Sequence, residues 1–142
     1  MSSNDSQKGK ITILIVEDHD VFRDFVKKKL SSLFPDCNFV EAQNGEEALS
    51  LAKTMEPDIV ITDIRLPRMS GIELTRKIKE RIPKTEVIIL SLYYDPVYRE
   101  QAIVAGASAY VLKQEMQSEL IPILKKLLPD SASSTVPNKA SI

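Results

Sequence analysis

The stretch Ile59-Val60-Ile61-Thr62-Asp63 is a short β-branched run that stops abruptly on a carboxylate. An apolar run without alternation reads as a strand covered on both faces, which is what a parallel sheet between two layers of helices requires. Ile11 to Val16 (ITILIV), Val87 to Leu90 (VIIL) and the shorter Ala109 to Leu112 (AYVL) repeat the pattern, and a weaker strand is expected over Asn38 to Ala42. Asp63 is expected to be exposed at the end of its buried strand, where it can meet polar groups from other strand ends.

Segments of helical period separate these strands. Val21, Phe22, Phe25, Val26, Leu30 and Leu33 are spaced to paint one stripe on a first helix. Ala48, Leu49 and Ala52 mark a second helix, Ile72, Leu74 and Ile78 a third, and Ala102, Ile103 and Val104 a fourth. Leu120, Ile121, Leu124, Leu127 and Leu128 mark a fifth. Asn44 and Ser70 are placed to cap helix starts, while Pro35, Pro57 and Pro83 follow helix ends. Strand and helix alternate five times, which predicts an α/β fold with a doubly wound, five-stranded parallel sheet and right-handed crossovers. The common strand order 2-1-3-4-5, the flavodoxin-like (βα)5 arrangement, reverses direction between strands one and three. Ligands bind in the crevice outside the carboxyl ends at that point.

The 142 residues are expected to form one core, with no room for a second folded domain. Hydrophobic residues make up 43% and charged ones 27%, an ordinary globular balance. The formal net charge of -1 gives no basic field for gripping a nucleic acid backbone, so direct nucleic acid binding is not expected. No apolar run approaches the ~20 residues of a membrane span, and the opening MSSNDSQKGK lacks the apolar segment of a secretory signal. A cytoplasmic protein without membrane attachment is expected. Cys37, a lone cysteine, reads as a small buried side chain. With 4 glycines and no Gly-rich phosphate loop, nucleotide binding through a P-loop or dinucleotide fingerprint is excluded. Residues 1–9 are expected to be disordered, and so is the Ser- and Pro-rich stretch 129–142, which also resembles the start of an interdomain linker. That leaves 10–128 as the folded domain.

In the predicted strand order, strand one runs into Glu17, Asp18, His19 and Asp20, strand three into Asp63, strand four into Ser91 and strand five into Lys113. Carboxylates gathered at one mouth repel, by roughly 4 kcal/mol for a pair ~4 Å apart at an effective dielectric of about 20. A small divalent cation relieves this. Mg²⁺ takes oxygen ligands, keeps several waters, and is held by one or two carboxylates plus a phosphate oxygen. Lys113 supplies a second positive charge. A carboxylate flanked by a metal and an ammonium is suited to act as a covalent nucleophile toward phosphorus, and Ser91 can donate a hydrogen bond to the resulting acyl phosphate. Taken singly, the residues have simpler readings: Asp20 as the N-cap of the first helix, His19 as a partly exposed loop residue, Ser91 as a strand terminus, Lys113 as a solvated tail. Their joint placement at four strand ends favours a site.

These residues carry a family resemblance. EDH at 17–19, PDIVITDIRLPRMSG at 57–71, the serine of VIILS at 87–91 and GASAYVLK at 106–113 resemble the receiver domain of two-component response regulators, over residues 10–128. GASAYVLK and the DP at 95–96 are most similar to its NarL-like branch. The resemblance implies a phosphoacceptor signalling switch of a phosphorelay, with Asp63 taking a phosphoryl group from a sensor histidine kinase. It implies Mg²⁺ held by Glu17, Asp18, Asp63 and the backbone carbonyl of Arg65, with Lys113 pairing with the phosphate. Ser91 matches the switch hydroxyl and Tyr110 the switch aromatic. No enzyme activity is implied beyond the chain's own phosphorylation and dephosphorylation. Arg65, Leu92 and Tyr93 are expected to flank the path of an attacking water, and none is a carboxylate or amide suited to orient it, so a long-lived phosphorylated state is expected.

The sequence also departs from the family pattern. Many receivers follow their lysine with a proline in a cis peptide, whereas Gln114 follows Lys113 and an ordinary trans bond is expected. Pro122 removes a backbone donor within the first turns of helix five, which must begin late, near Ser118, or be kinked. NarL-like regulators carry a helix-turn-helix domain after the receiver and this sequence has none. Output is then expected through a homodimer, a downstream protein partner or onward phosphoryl transfer, unless the chain is the receiver fragment of a DNA-binding transcription regulator. A different reading is a haloacid-dehalogenase-like phosphohydrolase, since Asp18 and Asp20 superficially offer its Asp-x-Asp motif; Phe22 spoils that motif and the length leaves no room for a cap domain. A pseudo-receiver scaffold predicts missing acidic or lysine groups, and all are present.

Overall fold

The computed structural model describes residues 10–129, so the expectations for residues 1–9 and 130–142 lie outside the described residues. Five parallel strands form one sheet in the order β2-β1-β3-β4-β5: β1 (Thr12–Val16), β2 (Asn38–Ala42), β3 (Ile59–Thr62), β4 (Glu86–Ser91) and β5 (Ala109–Leu112). The helices between them are α1 (Asp20–Leu33), α2 (Gly45–Met55), α3 (Gly71–Arg81) and α4 (Pro96–Ala105), with α5 (Ile121–Leu127) last. The predicted order and alternation are those observed.

The unbroken apolar runs have their expected cause. Successive residues of a strand face opposite sides, so Ile13 and Ile15 enter one core layer with Val26, Leu30, Leu120 and Leu124 of α1 and the final helical stretch. Leu14 and Val16 enter the other layer, with Ala48, Ala52, Leu74 and Ile78 of α2 and α3. The β1–β3 register sets Val16 beside Thr62, so both central strands end level and release their polar residues at the same edge.

Caps anchor the helix starts near that edge. Asn44 accepts the N–H of Glu47 at 2.8 Å, and the Glu47 carboxylate reaches back to accept the N–H of Gln43, just before the cap, at 3.0 Å. Ser70 accepts the N–H of Glu73, as expected, and Asp95 accepts that of Val97 ahead of Pro96 at the start of α4. Asp20 does not act as an N-cap. His19 occupies that position without a side-chain cap bond, and Asp20 is the first helical residue, turned outward to pair with Arg23 at 2.8 Å.

Two expectations about helices need correction. Val21 and Phe25 of the α1 stripe are 85% and 52% exposed, because Phe22, Val26 and Leu30 already occupy the face toward the sheet. In α4 only Ala102 is buried while Ile103 and Val104 face outward, since consecutive helical residues are turned by about 100° and cannot all point inward. Regular helix five begins late, as one reading of Pro122 has it, although at Ile121 rather than near Ser118. A 3₁₀ turn (Lys113–Glu115) leads into a π turn (Met116–Leu120), in which the N–H of Ile121 bonds the Met116 carbonyl, and regular α-helix starts only at Ile121. Pro122 thus falls in the first α-helical turn, where a missing N–H is tolerated. The expected trans peptide after Lys113 is present, with no cis bond among the described residues.

Candidate functional site

Strand ends deliver the charged groups. Glu17 follows β1 and is 3% exposed, Asp63 follows β3 at 7%, and Lys113 follows β5. Asp63 is therefore buried, against the expectation of exposure, because the backbone after it folds over and three donors enclose its carboxylate. Oδ1 accepts the N–H of Ile64 at 2.7 Å and that of Arg65 at 3.4 Å, and Oδ2 accepts from Lys113 Nζ at 3.1 Å. The turn that returns the chain to α3 depends on Gly71, whose N–H bonds the Ile64 carbonyl at 2.8 Å. A Cβ at Gly71 would lie 2.0 Å from the Asp63 carbonyl oxygen.

Lys113 bridges the two buried carboxylates, with Nζ 2.9 Å from Glu17 Oε1 and 3.1 Å from Asp63 Oδ2. Burial by itself lowers the pKa of this ammonium, but the hydrogen bond to Glu17 and the charges of Asp63 and Glu17 outweigh it and leave the pKa raised. Asp63 is also raised, chiefly by burial and further by Glu17, with Lys113 opposing. The second Glu17 oxygen accepts the His19 N–H at 3.1 Å and meets His19 Nδ1 at 3.0 Å. Arg23, from the first turn of α1, donates to the Glu17 carbonyl at 2.7 Å and to Glu41 of β2 at 3.0 Å, which fixes the loop that carries the acidic residues.

Glu17, Asp18 and His19 place their ligand atoms within 4.8 Å of one another, so the acidic cluster contains the exposed His19 as well as the expected pair. Asp18 Oδ1 is buried and has no hydrogen-bond partner among the described residues. Its nearest positive partner is His19 Nδ1 at 3.6 Å, beyond hydrogen-bond reach, so this oxygen is open as a ligand position for a cation, and the oxygen-rich donor set suits a hard divalent ion.

Ser91 and Tyr110 stand beside this centre. Ser91 is 5% exposed and its hydroxyl accepts the N–H of Tyr93 at 3.3 Å. Tyr110 on β5 donates its hydroxyl to the Tyr93 carbonyl at 2.7 Å and lies edge-on to Tyr94 at 6.2 Å. Burial raises the pKa of this phenol, with the Ser91 side chain pulling it back. Arg65 and Tyr93 are exposed, and Leu92 is 53% exposed. Cys37 is buried as expected, and burial pushes its thiol up to about 11.

Sequence reasoning misses two contributors. Phe22 reads as core, yet its ring lies 4.5 Å from Lys113 Nζ. Arg23 carries no motif signal, and its clamp on Glu17 is visible only once β1 and β2 are adjacent.

The sequence matches the response regulator receiver domain over residues 13–125. It is 35% identical over 119 residues to the transcriptional regulatory protein DegU of Brevibacillus brevis, covering 83% of this chain and 50% of that one. It is 33% identical over 120 residues to the nitrate/nitrite response regulator protein NarL of Escherichia coli K12, covering 84% and 55%. The fold superposes on the signal receiver domain of the response regulator NarL from Mycobacterium tuberculosis with a TM-score of 0.76 at 30% identity, covering 82% of this chain and 94% of that one. The chain belongs to the response regulator receiver family, the phosphoacceptor switches of two-component signalling, and its kinship is with NarL- and DegU-type regulators. It spans about half the length of these curated relatives. The phosphohydrolase reading loses its Asp-x-Asp pair, since Asp20 is turned out to Arg23. No described helix is long and apolar enough to cross a membrane.

Proposed function

We propose that Asp63 is the phosphoacceptor and that a sensor histidine kinase is its donor. The observation that carries this reading is the buried pairing of Asp63 and Glu17 through Lys113, which leaves Asp63 beside a fixed ammonium. An Asp63 carboxylate oxygen attacks the phosphorus of a phosphohistidine in line. The new P–O bond forms as the P–N bond breaks, and the imidazole leaves with that electron pair and takes up a proton. Lys113 then offers its ammonium to the added phosphoryl oxygens, and the Ser91 hydroxyl can donate to them.

Mg²⁺ is the implied cofactor, and the Asp18 oxygen that no hydrogen bond satisfies supports it. Glu17, Asp18, Asp63 and the Arg65 carbonyl would hold the ion, whose charge offsets that developing on the transferred phosphoryl group. The chain then catalyses its own phosphorylation and acts as a switch. Its output passes through a downstream protein, through a second copy of the chain, or, in keeping with a relative described as a transcriptional regulatory protein, through a DNA-binding domain.

Incubation with Mg²⁺ and acetyl phosphate, followed by intact mass measurement, tests this. A gain of one phosphoryl mass that is lost on chelation and in Asp63→Asn supports the assignment. Labelling that persists in Asp63→Asn places the nucleophile elsewhere.

A further inference from the structure

Lys113 is enclosed on three sides. Two are the carboxylates of Glu17 and Asp63, at 2.9 and 3.1 Å. The third is the ring of Phe22, whose centroid lies 4.5 Å from Nζ. The lysine side chain is 7% exposed, and no third hydrogen-bond acceptor for Nζ is found among the described residues. Phe22 sits in the first turn of α1 and packs against the core cluster, which restrains its ring. A cavity of about 10 Å³, space for no more than one water, is lined by Phe22 together with Glu17, Val26, Asp63 and Leu90 among others.

We propose that Phe22 is a positioning residue for phosphoryl transfer: its ring face holds the Lys113 ammonium against Asp63 and keeps water off it. The ammonium has two carboxylates to satisfy it and a third direction facing an aromatic quadrupole, whose negative face attracts a cation most where water is excluded. A flexible lysine stem loses its fixed position if that wall is removed, because the ammonium can then swing toward solvent. A hydrophobic residue of similar size, such as leucine, fills the space but lacks the quadrupole. The ring's electron density therefore sets how firmly the ammonium is held where the phosphoryl oxygens arrive.

This inference rests on Asp63 as acceptor, and the test keeps the two apart. Initial rates of phosphorylation by acetyl phosphate at saturating Mg²⁺ are measured for the wild type, Phe22→Tyr, Phe22→Leu, and chains with mono-, di- and trifluorophenylalanine at position 22. Fluorination drains the ring face while nearly preserving its shape. Rates should fall stepwise along the fluorine series and by about tenfold in Phe22→Leu, with Phe22→Tyr near wild type. Separately, the side-chain NMR signals of Lys113 in the unphosphorylated protein should show an upfield ring-current shift that disappears in Phe22→Leu. Equal rates across the fluorinated chains overturn the proposal, whatever happens to Phe22→Leu. A wild type that gains no phosphoryl mass defeats the Asp63 assignment, while the ring-current shift still tests the Phe22–Lys113 contact. Absence of that shift overturns the contact itself.

Discussion

The guanidinium of Arg65 lies 5.4 Å from the centroid of the Tyr93 ring, so the loop after β3 and the loop after β4 are joined by a cation–π contact next to Asp63. The two side chains are exposed yet paired with each other, and the expectation that they flank the path of a water attacking an acyl phosphate on Asp63 is open to test. Replacing them with Arg65→Asn and Tyr93→Glu removes the stack and introduces groups that can orient water. The phosphoryl group should be lost about tenfold faster from the double variant, equivalent to ~1.4 kcal/mol of barrier. Decay is followed by intact mass after the donor is removed, and unchanged decay would show that access at these positions does not control it.

Ser91 and Tyr110 meet at the Tyr93 backbone, the serine accepting its N–H and the tyrosine donating to its carbonyl. A phosphoryl group that draws the Ser91 hydroxyl should therefore alter a hydrogen-bonded loop that Tyr110 also holds. Ser91→Ala is expected to accept the phosphoryl group but to show a smaller change in hydrogen exchange over α4, β5 and α5 than the wild type. A response as large as wild type would disconnect the hydroxyl from that surface.

Gly71 admits the Asp63 carbonyl where a Cβ would clash at 2.0 Å. Gly71→Ala cannot be accommodated by a side-chain rotation, because the opposing atom is backbone. Urea unfolding should show a loss of about 3 kcal/mol, at the upper end for overpacking. A loss below 1 kcal/mol would mean the turn can shift without cost.

Glu41 meets Arg23 and Lys27 at 3.0 and 3.1 Å. Burial raises its pKa, but hydrogen bonds and charge from Lys27 and Arg23 outweigh that and lower it below the ordinary glutamate value. A carboxylate whose folded pKa is depressed stabilises the fold above its unfolded pKa and ceases to do so as pH falls through the folded value. Glu41→Gln should therefore lose ~0.5–1 kcal/mol at pH 7, a modest figure because the side chain is 32% exposed, and should match wild type in acid. A difference that persists at low pH would assign the effect to packing.

The parts of the fold legible in sequence are those where one physical demand acts alone. Burial on both faces leaves β1, β3 and β4 apolar at nearly every position, whereas the edge strand β2, with Phe39, Val40 and Glu41 only half covered, gives a weaker pattern. Glu17, Asp63, Ser91 and Lys113 stand out because each interrupts such a run where the strand stops. Residue type does not report direction, which is why Val21, Phe25, Ile103 and Val104 read as core yet face outward. Phe22 escapes notice for the converse reason. An aromatic at helical spacing is ordinary core, and its ammonium partner lies on the opposite edge of the chain's order, brought near only when β5 takes its place in the sheet.

β1 is laddered to neighbours on both sides, while β5 is laddered to β4 alone. Edge segments of this kind are where local opening of a native protein begins, since fewer backbone bonds break when they detach. Lys113 directly follows β5, so detachment of that edge also withdraws the ammonium from Glu17 and Asp63 and leaves two buried carboxylates facing each other. The ion pair thus works as a fastener at the far side of the sheet. Subglobal unfolding of the final strand and helix must overcome the charge pairing of the site as well as one ladder of hydrogen bonds.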